Sequence, residues 1–331
     1  MSTQTKVKTQ GIRIEKSGGP EVLQYTTFEI NEPEANQALV KVHAAGVNFI
    51  DTYHRSGKYP FALPGTPGLE GSGVVEKVGA NVKNVKAGDH VAWSSTPGSY
   101  ADHILVEGDR LIRVPDKMSF EQAAAFPLQG MTAHYLLHEF YKVKKGDNVL
   151  VHAAAGGMGL LLTQWAKNMG ARVIGTVSTE EKAKAAKAAG ADDVILYSTQ
   201  DFVEETKKLT NGKGADYIVD GVGKTTFTKN LDAVKTCGWI TLYGSASGAA
   251  EPLAPNSLQA RAITVSGGSL FNYIVTREDL EMRANAVIKG IQEGWLKLNV
   301  DHTFTLNEAK KAHEMLEGRH TTGKIILKVR E

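Results

Sequence analysis

Along the first third of the chain, apolar positions come in short runs broken by Gly, Pro, Asn and Asp. Residues 39–44, 73–78 and 90–93 are rich in β-branched and apolar side chains. They sit between turn signals such as Ala87-Gly88-Asp89, and they predict strands. Residues 11 to about 115 therefore read as a compact, mostly β region. The pattern changes near Ser119. From 120 to 141, Ala123, Ala124, Ala125, Met131, Ala133, Leu136 and Leu137 fall at helical spacing, and Pro127 divides them into two short helices.

Beyond that point strands and helices alternate. Strands are predicted over 148–152, 171–177, 193–196, 215–220 and 238–243. Helices are predicted over 160–169, 180–189, 201–209 and 227–234. This alternation specifies a parallel, doubly wound sheet with helices on both faces, so the fold class is α/β. Residues 262–266 offer one more strand. A long amphipathic helix from Arg277 to about Glu293 follows, then a strand at 301–304, a helix ending at Glu317 and a last strand at 324–329. No internal repeat or low-complexity segment interrupts the series.

Composition narrows the function classes. A chain of 331 residues is long enough for about two domains. Lys+Arg 38 against Asp+Glu 36 gives a net charge of +2, which is no footprint for nucleic acid. The single cysteine, Cys237, allows neither an intrachain disulfide nor a cysteine-rich metal site. No apolar run approaches the ~20 residues of a membrane span. The first ten residues are polar, lack the apolar core of a secretory signal, and read as a short frayed tail of a cytoplasmic protein.

The strongest chemical motif is the small-residue turn from Ala154 to Gly159. Val149-Leu150-Val151 is a buried strand, and a helix opens at Leu160. Ala154, Gly156 and Gly159 match the dinucleotide fingerprint, with alanine in its first place. Gly157 and Met158 complete the turn. Such a turn lets backbone approach a pyrophosphate and aims the N–H groups of a helix start at its oxygens. An NAD site usually carries an acid at the end of the next strand. Here that strand ends Thr176-Val177-Ser178-Thr179, with Lys182 one turn into the helix. Hydroxyl donors and a cation suit a 2′-phosphate, which favours NADP over NAD. Glu180 and Glu181 argue the other way, unless they are first-turn acids placed by the helix dipole.

Together with Ala45-Gly46-Val47-Asn48-Phe49-Ile50-Asp51, Pro67-Gly68-Leu69-Glu70-Gly71-Ser72-Gly73, Gly98-Ser99-Tyr100-Ala101, Leu128-Gln129-Gly130-Met131-Thr132-Ala133 and Thr321-Thr322-Gly323-Lys324, these motifs are highly specific. The chain resembles the zeta-crystallin-type quinone oxidoreductases of the medium-chain dehydrogenase/reductase superfamily, over essentially its whole length. The resemblance implies a GroES-like, mostly β catalytic domain interrupted by a Rossmann domain. The expected division is 1–130, 131–270 and a return to the catalytic domain at 271–331. It also implies NADPH as cofactor and a homodimer joined at sheet edges, with 262–266 as the matching strand.

Zinc-dependent relatives ligate metal with Cys and His where this chain has Asn48 and Leu69, so no metal is expected. Without a Lewis acid the acceptor must already be electrophilic, as a quinone or another activated carbonyl is. The resemblance places Asn48 beside the nicotinamide, where its amide can donate to a substrate oxygen. Tyr53 and Tyr59, on the loop that follows, are candidates for donation or stacking, and Asp51 for orienting Asn48 or Tyr53. His54 reads as an ordinary loop histidine. Further cofactor contacts implied are Thr132, Tyr197, Val222, Gly223, Tyr243, Gly244, Ser245, Leu270 and Phe271, with Arg319 and Lys324 as weaker carry-overs. An NADPH-dependent enone or enoyl-thioester reductase remains the neighbouring alternative. RNA binding, or a structural crystallin-like role, has little support because no basic and aromatic stripe is present.

Overall fold

A computed structural model describes residues 6–330. In chain order its elements are β1 (Lys6–Arg13), β2 (Gln24–Asn31), β3 (Gln37–Val47), α1 (Phe49–Ser56), β4 (Glu70–Val78), β5 (His90–Trp93), β6 (His103–Glu107), β7 (Ile112–Arg113), α2 (Phe120–Ala125), α3 (Pro127–Tyr135), β8 (Asn148–Val151), α4 (Gly157–Asn168), β9 (Arg172–Val177), α5 (Glu180–Ala188), β10 (Asp193–Leu196), α6 (Phe202–Leu209), β11 (Ala215–Asp220), α7 (Phe227–Ala233), β12 (Val234–Leu242), β13 (Thr264–Gly267), α8 (Arg277–Gln292), β14 (Val300–Thr305), α9 (Ala309–Glu317) and β15 (Lys324–Lys328). The chain divides into two compact units. Unit one holds the described residues up to Leu128, with Ile274–Ala284 and the stretch from Val300 onward. Unit two holds Gln129–Tyr273 and Asn285–Asn299. The stretch 285–299, expected in the first domain, groups with the second.

Unit one contains the mostly β region. Among the described residues its main sheet runs β14-β15-β3-β4-β5-β7, with β6 also paired to β3, and β1 and β2 form a separate antiparallel pair. The last strand of the chain, β15, pairs antiparallel with β3, opposing Val47 to Ile325 and Gly46 to Ile326. This pairing carries Lys324 to the side of Asn48, 276 positions away in sequence. Two apolar clusters hold the unit: Ile12, Ile14, Ala45, Val47, Ile325 and Leu327 in one, Val40, Val42, Val91, Trp93 and Val106 in the other.

Unit two contains a six-stranded parallel sheet in the order β10-β9-β8-β11-β12-β13. Numbered within the sheet this is 3-2-1-4-5-6, the dinucleotide-binding order, and the fold is the α/β class expected. Leu150, Ile174, Ile195, Ile218 and Ile240, from five of the six strands, lie in its core. Runs such as Val149-Leu150-Val151 and Tyr217-Ile218-Val219 are buried throughout, as a parallel strand covered on both faces requires.

Several expectations change. Residues 6–10 are no frayed tail: they lie in β1 and pair with β2 from Lys6↔Asn31 onward. Residues 1–5 of that expected tail lie outside the described residues. The polarity of this stretch misleads because the pair has a solvent-facing side, while Thr9, Gly11 and Ile12 are buried. Tyr53 is on a helix rather than a loop, since 49–56 form α1; only Tyr59 follows on the loop. Asn48 with Asp51 three residues later was the readable helix-start signal there. Cys237 lies inside β12 rather than before it, is exposed, and takes a left-handed φ of 57°.

Candidate active site

Unit one gathers a buried polar cluster around Asn48. Asn48 and Asp51 form the capping box of α1, and the Asp51 carboxylate accepts the Asn48 backbone N–H at 2.8 Å. The Asn48 carboxamide also reaches across the cluster: Nδ2 donates to Glu70 Oε2 at 2.8 Å and to Gly46 O at 3.4 Å, while Oδ1 accepts from Lys324 Nζ at 2.7 Å. Lys324 also pairs with Glu70 at 2.5 Å, and both are almost fully buried. The second Glu70 oxygen accepts the Leu128 N–H at 2.7 Å. Lys324, expected at the cofactor, is thus part of this buried ion pair.

Asp51 heads a second chain of bonds. Its carboxylate also accepts from the Leu69 N–H at 3.2 Å and the Tyr100 hydroxyl at 3.2 Å. Tyr100 touches His313 Nε2 at 3.2 Å, and Arg55 donates to His313 Nδ1 at 3.1 Å. Arg55 only donates, so His313 Nδ1 accepts, Nε2 carries the proton, and Tyr100 passes its own hydrogen to Asp51. Arg55 is closed off by two bonds to Glu317. Burial pushes the Asp51 carboxyl up to about 7, against the pull of the Asn48 N–H, the Lys324 charge and Tyr100. Burial, followed by the Arg55 charge, drops His313 to about 3. Tyr100 is raised well above its ordinary range by burial and by Asp51.

The tyrosines come together beside this cluster. Tyr53 is buried on α1 and meets the half-exposed ring of Tyr59 edge to face at 5.2 Å. His54 stacks on Phe61 at 5.5 Å, and burial lowers its pKa, as suits a packing histidine. Arg319 follows α9, exposed and at a left-handed φ of 58°.

In unit two the candidate cofactor site is made of backbone. Ala153, with φ 50°, turns the chain out of β8, and α4 starts at Gly157 behind Gly156, which makes no side-chain cap. The first N–H groups of a helix have no acceptor within it, so they are available to an anionic ligand. A Cβ on Gly159 would come within 2.2 Å of Ala153 O, so only glycine allows helix and turn this close. A Cβ on Gly156 would meet nothing nearer than Ala153 O at 3.4 Å, so this glycine leaves open space where a pyrophosphate would lie. Gly157 packs on the Gln129 amide, and Met158 is half-buried on the first turn.

At the end of β9 no carboxylate stands. Ser178 is half-buried, Thr179 caps α5 by accepting the Lys182 N–H at 3.2 Å, and Lys182 lies on the first turn with Glu180 and Glu181. Tyr197 is half-exposed just after β10, its N–H on Val177 O. The Thr176 hydroxyl turns inward to His152 Nδ1 at 2.9 Å. Thr132 is buried on α3, Leu270 is buried in a short helical turn, and Phe271 beside it is half-buried.

The other strand ends are tied together below this surface. Asp220 Oδ1 accepts the N–H groups of Val222 at 2.7 Å and Gly223 at 3.1 Å. Its Oδ2 accepts from Thr226 and from Asn230 Nδ2, and Asn230 Oδ1 meets His152 Nε2 at 2.7 Å. A buried chain Thr176–His152–Asn230–Asp220 therefore fixes the ends of β8, β9 and β11. Gly244 approaches Gly221 so closely that a Cβ would lie 2.8 Å from Gly221 O, and the Tyr243 ring covers Gly221. Ser245 closes the neighbouring turn by accepting the Gly248 N–H.

Sequence reasoning missed Glu70, Tyr100, Arg55 and His313 in unit one, and His152, Asp220 and Asn230 in unit two. Glu70 and Tyr100 lie inside motifs that were singled out, so a signal existed. His313 and Asn230 stand on ordinary amphipathic helices and carried none. Among the described residues, no group of three or more His, Cys, Asp or Glu is placed to hold a metal ion, and no helix is long and apolar enough to cross a membrane.

Comparison with known proteins adds to this geometry. The zinc-binding dehydrogenase family matches residues 157–286, and the alcohol dehydrogenase GroES-like domain matches residues 34–116. Quinone oxidoreductase 1 of Escherichia coli is 42% identical over 321 residues, covering 96% of this chain and 98% of the relative. The 2-haloacrylate reductase of a Burkholderia species is 40% identical over 323 residues, covering 95% and 97%. A crystal structure of Escherichia coli quinone oxidoreductase complexed with NADPH superposes with a TM-score of 0.94 at 41% identity, covering 97% of this chain and 100% of that one.

Proposed function

The chain belongs to the quinone oxidoreductases of the medium-chain dehydrogenase/reductase superfamily, and from that premise we propose that it reduces quinones with NADPH. The observation that carries the reading is the backbone cradle of unit two, where glycines bare the N–H groups at the start of α4.

When bound, NADPH supplies the hydride. Gly156, Gly157, Met158 and Gly159 hold the pyrophosphate through helix N–H groups. Ser178, Thr179, Lys182 and Tyr197 hold the 2′-phosphate, where no carboxylate from the end of β9 repels it. Val222, Gly223, Tyr243, Gly244, Ser245, Thr132, Leu270 and Phe271 line the rest of the cofactor site in unit two, and Arg319 is a further cofactor contact in this reading. Asn48 orients the nicotinamide and the substrate oxygen, and Tyr53 and Tyr59 flank a flat ring. Reduction builds negative charge on that oxygen, and a fixed donor there favours the transition state over the ground state.

Zinc does not fit this site. Of the positions where zinc-dependent relatives hold their metal, two carry an amide and a leucine, Asn48 and Leu69. The Lys324 ammonium already lies 2.7 Å from Asn48 Oδ1 and 2.5 Å from Glu70 Oε2, so a metal ion would meet a fixed positive charge. We therefore read the reaction as zinc-independent. The relative that reduces 2-haloacrylate favours a second reading, reduction of electron-poor C=C bonds by the same hydride.

The protein acts as a homodimer in this reading, joined through β13, one of the two edge strands of the unit-two sheet. A cytoplasmic location is part of the same reading. Steady-state kinetics test the proposal: simple benzoquinones, a crotonyl thioester and a 2-haloacrylate are compared with NADPH and NADH, and zinc is measured in the same sample. Fast NADPH-dependent quinone reduction by zinc-free protein is expected. Reduction of the alkenes alone would move the function to the second reading.

A further inference from the structure

We propose that Lys58 makes this enzyme prefer quinones that carry an anionic substituent, such as a sulfonate or a carboxylate. This rests on the function proposed above and concerns the ring-binding place assigned there to Tyr53 and Tyr59. The loop after α1 leaves apolar side chains uncovered. Gly57, at a left-handed φ of 79°, turns the chain out of the helix, and the Tyr59 N–H donates back to Tyr53 O at 3.2 Å. Lys58 and Tyr59 are thereby both held against Tyr53. The Lys58 ammonium lies 5.4 Å from the centre of the Tyr53 ring, and the Tyr59 ring lies 5.2 Å from it. Tyr59 is 45% exposed, and Leu63 further along the loop is 40% exposed. Large apolar side chains left open together mark a surface for an apolar ligand.

The charge on this surface has one sign. From residue 48 to residue 75 the chain carries four charged side chains, Asp51, Arg55, Lys58 and Glu70. Asp51, Arg55 and Glu70 are buried and bonded inward, whereas Lys58 is exposed. Among the described residues Lys58 forms no ion pair, and its contact with the Tyr53 ring is its one specific interaction. On the stretch bridged to the end of the loop, Arg13 donates to Pro64 O at 3.4 Å, while Glu15 and Lys16 offset one another. Attraction to the ring steadies the lysine stem, but at 5.4 Å the contact leaves the ammonium N–H groups to water or to an anion. A flat ligand laid on the Tyr59 ring therefore meets aromatic carbon on its face and an ammonium at its edge. A neutral quinone uses the first alone; an anionic one uses both. An ammonium is a point charge on a flexible stem, so the preference is for charge and not for one geometry. Attraction between exposed charges ~4 Å apart is worth roughly a factor of five in water, and salt screens it.

The test compares wild type with Lys58→Met, Lys58→Arg and Lys58→Glu at saturating NADPH, on a naphthoquinone sulfonate and on the parent neutral naphthoquinone. The readout is the ratio of kcat/KM for the sulfonate to kcat/KM for the neutral ring, so the intrinsic reactivity of each quinone cancels between variants. At low ionic strength Lys58→Met should lower this ratio ~3–10-fold, Lys58→Glu should lower it further, and Lys58→Arg should hold it within ~2-fold. At ~1 M salt, where charges are screened over ~3 Å, the wild-type and Lys58→Met ratios should agree within ~2-fold. Lys58 is exposed, so the variants should fold and melt close to wild type. An unchanged ratio in Lys58→Met overturns the proposal, and so does an equal fall for both quinones, which would leave Lys58 only a packing role on Tyr53. A changed ratio that persists at ~1 M salt also overturns it, because shape and not charge is then the cause. Wild-type protein that reduces neither quinone overturns the functional reading, and this proposal with it; that failure is told apart because no variant is needed to see it.

Discussion

The candidate site of unit two is built of backbone N–H groups, bared by glycines and held by a regular sheet. The polar cluster of unit one is built of side chains from α1 and its cap Asn48, β4, Tyr100, α9 and β15, held by one another and buried. The first arrangement is robust to polar substitution and intolerant of added volume. The second tolerates little loss of charge, because each charged member is compensated by another: Glu70 by Lys324, Arg55 by Glu317. Backbone sites depend on shape and buried side-chain sites on charge balance, and variants can separate the two.

The largest effect expected is in unit one. Lys324→Met alone strands Glu70 as an uncompensated buried carboxylate and should cost about 3–5 kcal/mol in thermal or denaturant unfolding. A loss below ~1 kcal/mol would break the contrast between the units. In unit two, Gly159→Ala forces a Cβ onto Ala153 O and should cost about 1–3 kcal/mol through overpacking. Its NADPH dissociation constant should rise more than ~10-fold, measured by titration of intrinsic fluorescence. Lys182→Glu is smaller and more selective. The Michaelis constant for NADPH should rise ~10-fold or more while that for NADH stays within ~2-fold, the difference made by one charge-assisted contact. Equal effects on both cofactors would remove the 2′-phosphate from this place.

The smallest effect is in the pH dependence of stability. His313 titrates lower in the folded chain, about 3, than in the unfolded one, so the unfolded state binds more protons and stability falls as pH drops from 6.5 toward 3. Asp51 titrates higher, about 7 against 3.8, so its contribution is present below 3.8 and is lost as pH rises toward 7. Between about pH 4 and 6.5 the two slopes oppose each other. His313→Gln removes one of them, and the variant's unfolding free energy should then fall as pH rises across this window, by up to ~1.4 kcal/mol per pH unit. Urea titrations at pH 4.5 and 6 check this, and a flat difference between variant and wild type would show that His313 contributes no slope.

How far the molecule could be read in advance follows the same division. The parallel sheet, the turn at Ala154 to Gly159 and the missing acid after Val177 were legible because each is a local run of residues with a local physical meaning. The β1–β2 pair escaped because its exposed side carries polar residues. Helix α1 escaped because it is one short element inside a β-rich region, although Asn48 and Asp51 marked its start. The bond from the Thr176 hydroxyl to His152 carried no local signal. Which way a strand-end side chain turns depends on neighbours such as His152, and that is not a property of the strand.

The sequence by itself determined the alternating elements, the glycine turn and the presence of Asn48 and Leu69, an amide and a leucine, where a zinc site would need ligands. Those follow from periodicity, from the absence of a Cβ and from ligand chemistry, all of which are written residue by residue. Only the tertiary structure decided that Lys324 meets Glu70 across the β15–β3 pairing, that Asp51 leads through Tyr100 to His313, and that His152 reaches Asp220 through Asn230. Buried polar groups must be satisfied, but their partners lie tens to hundreds of positions away. The fold alone brings them within the ~3 Å over which a hydrogen bond acts.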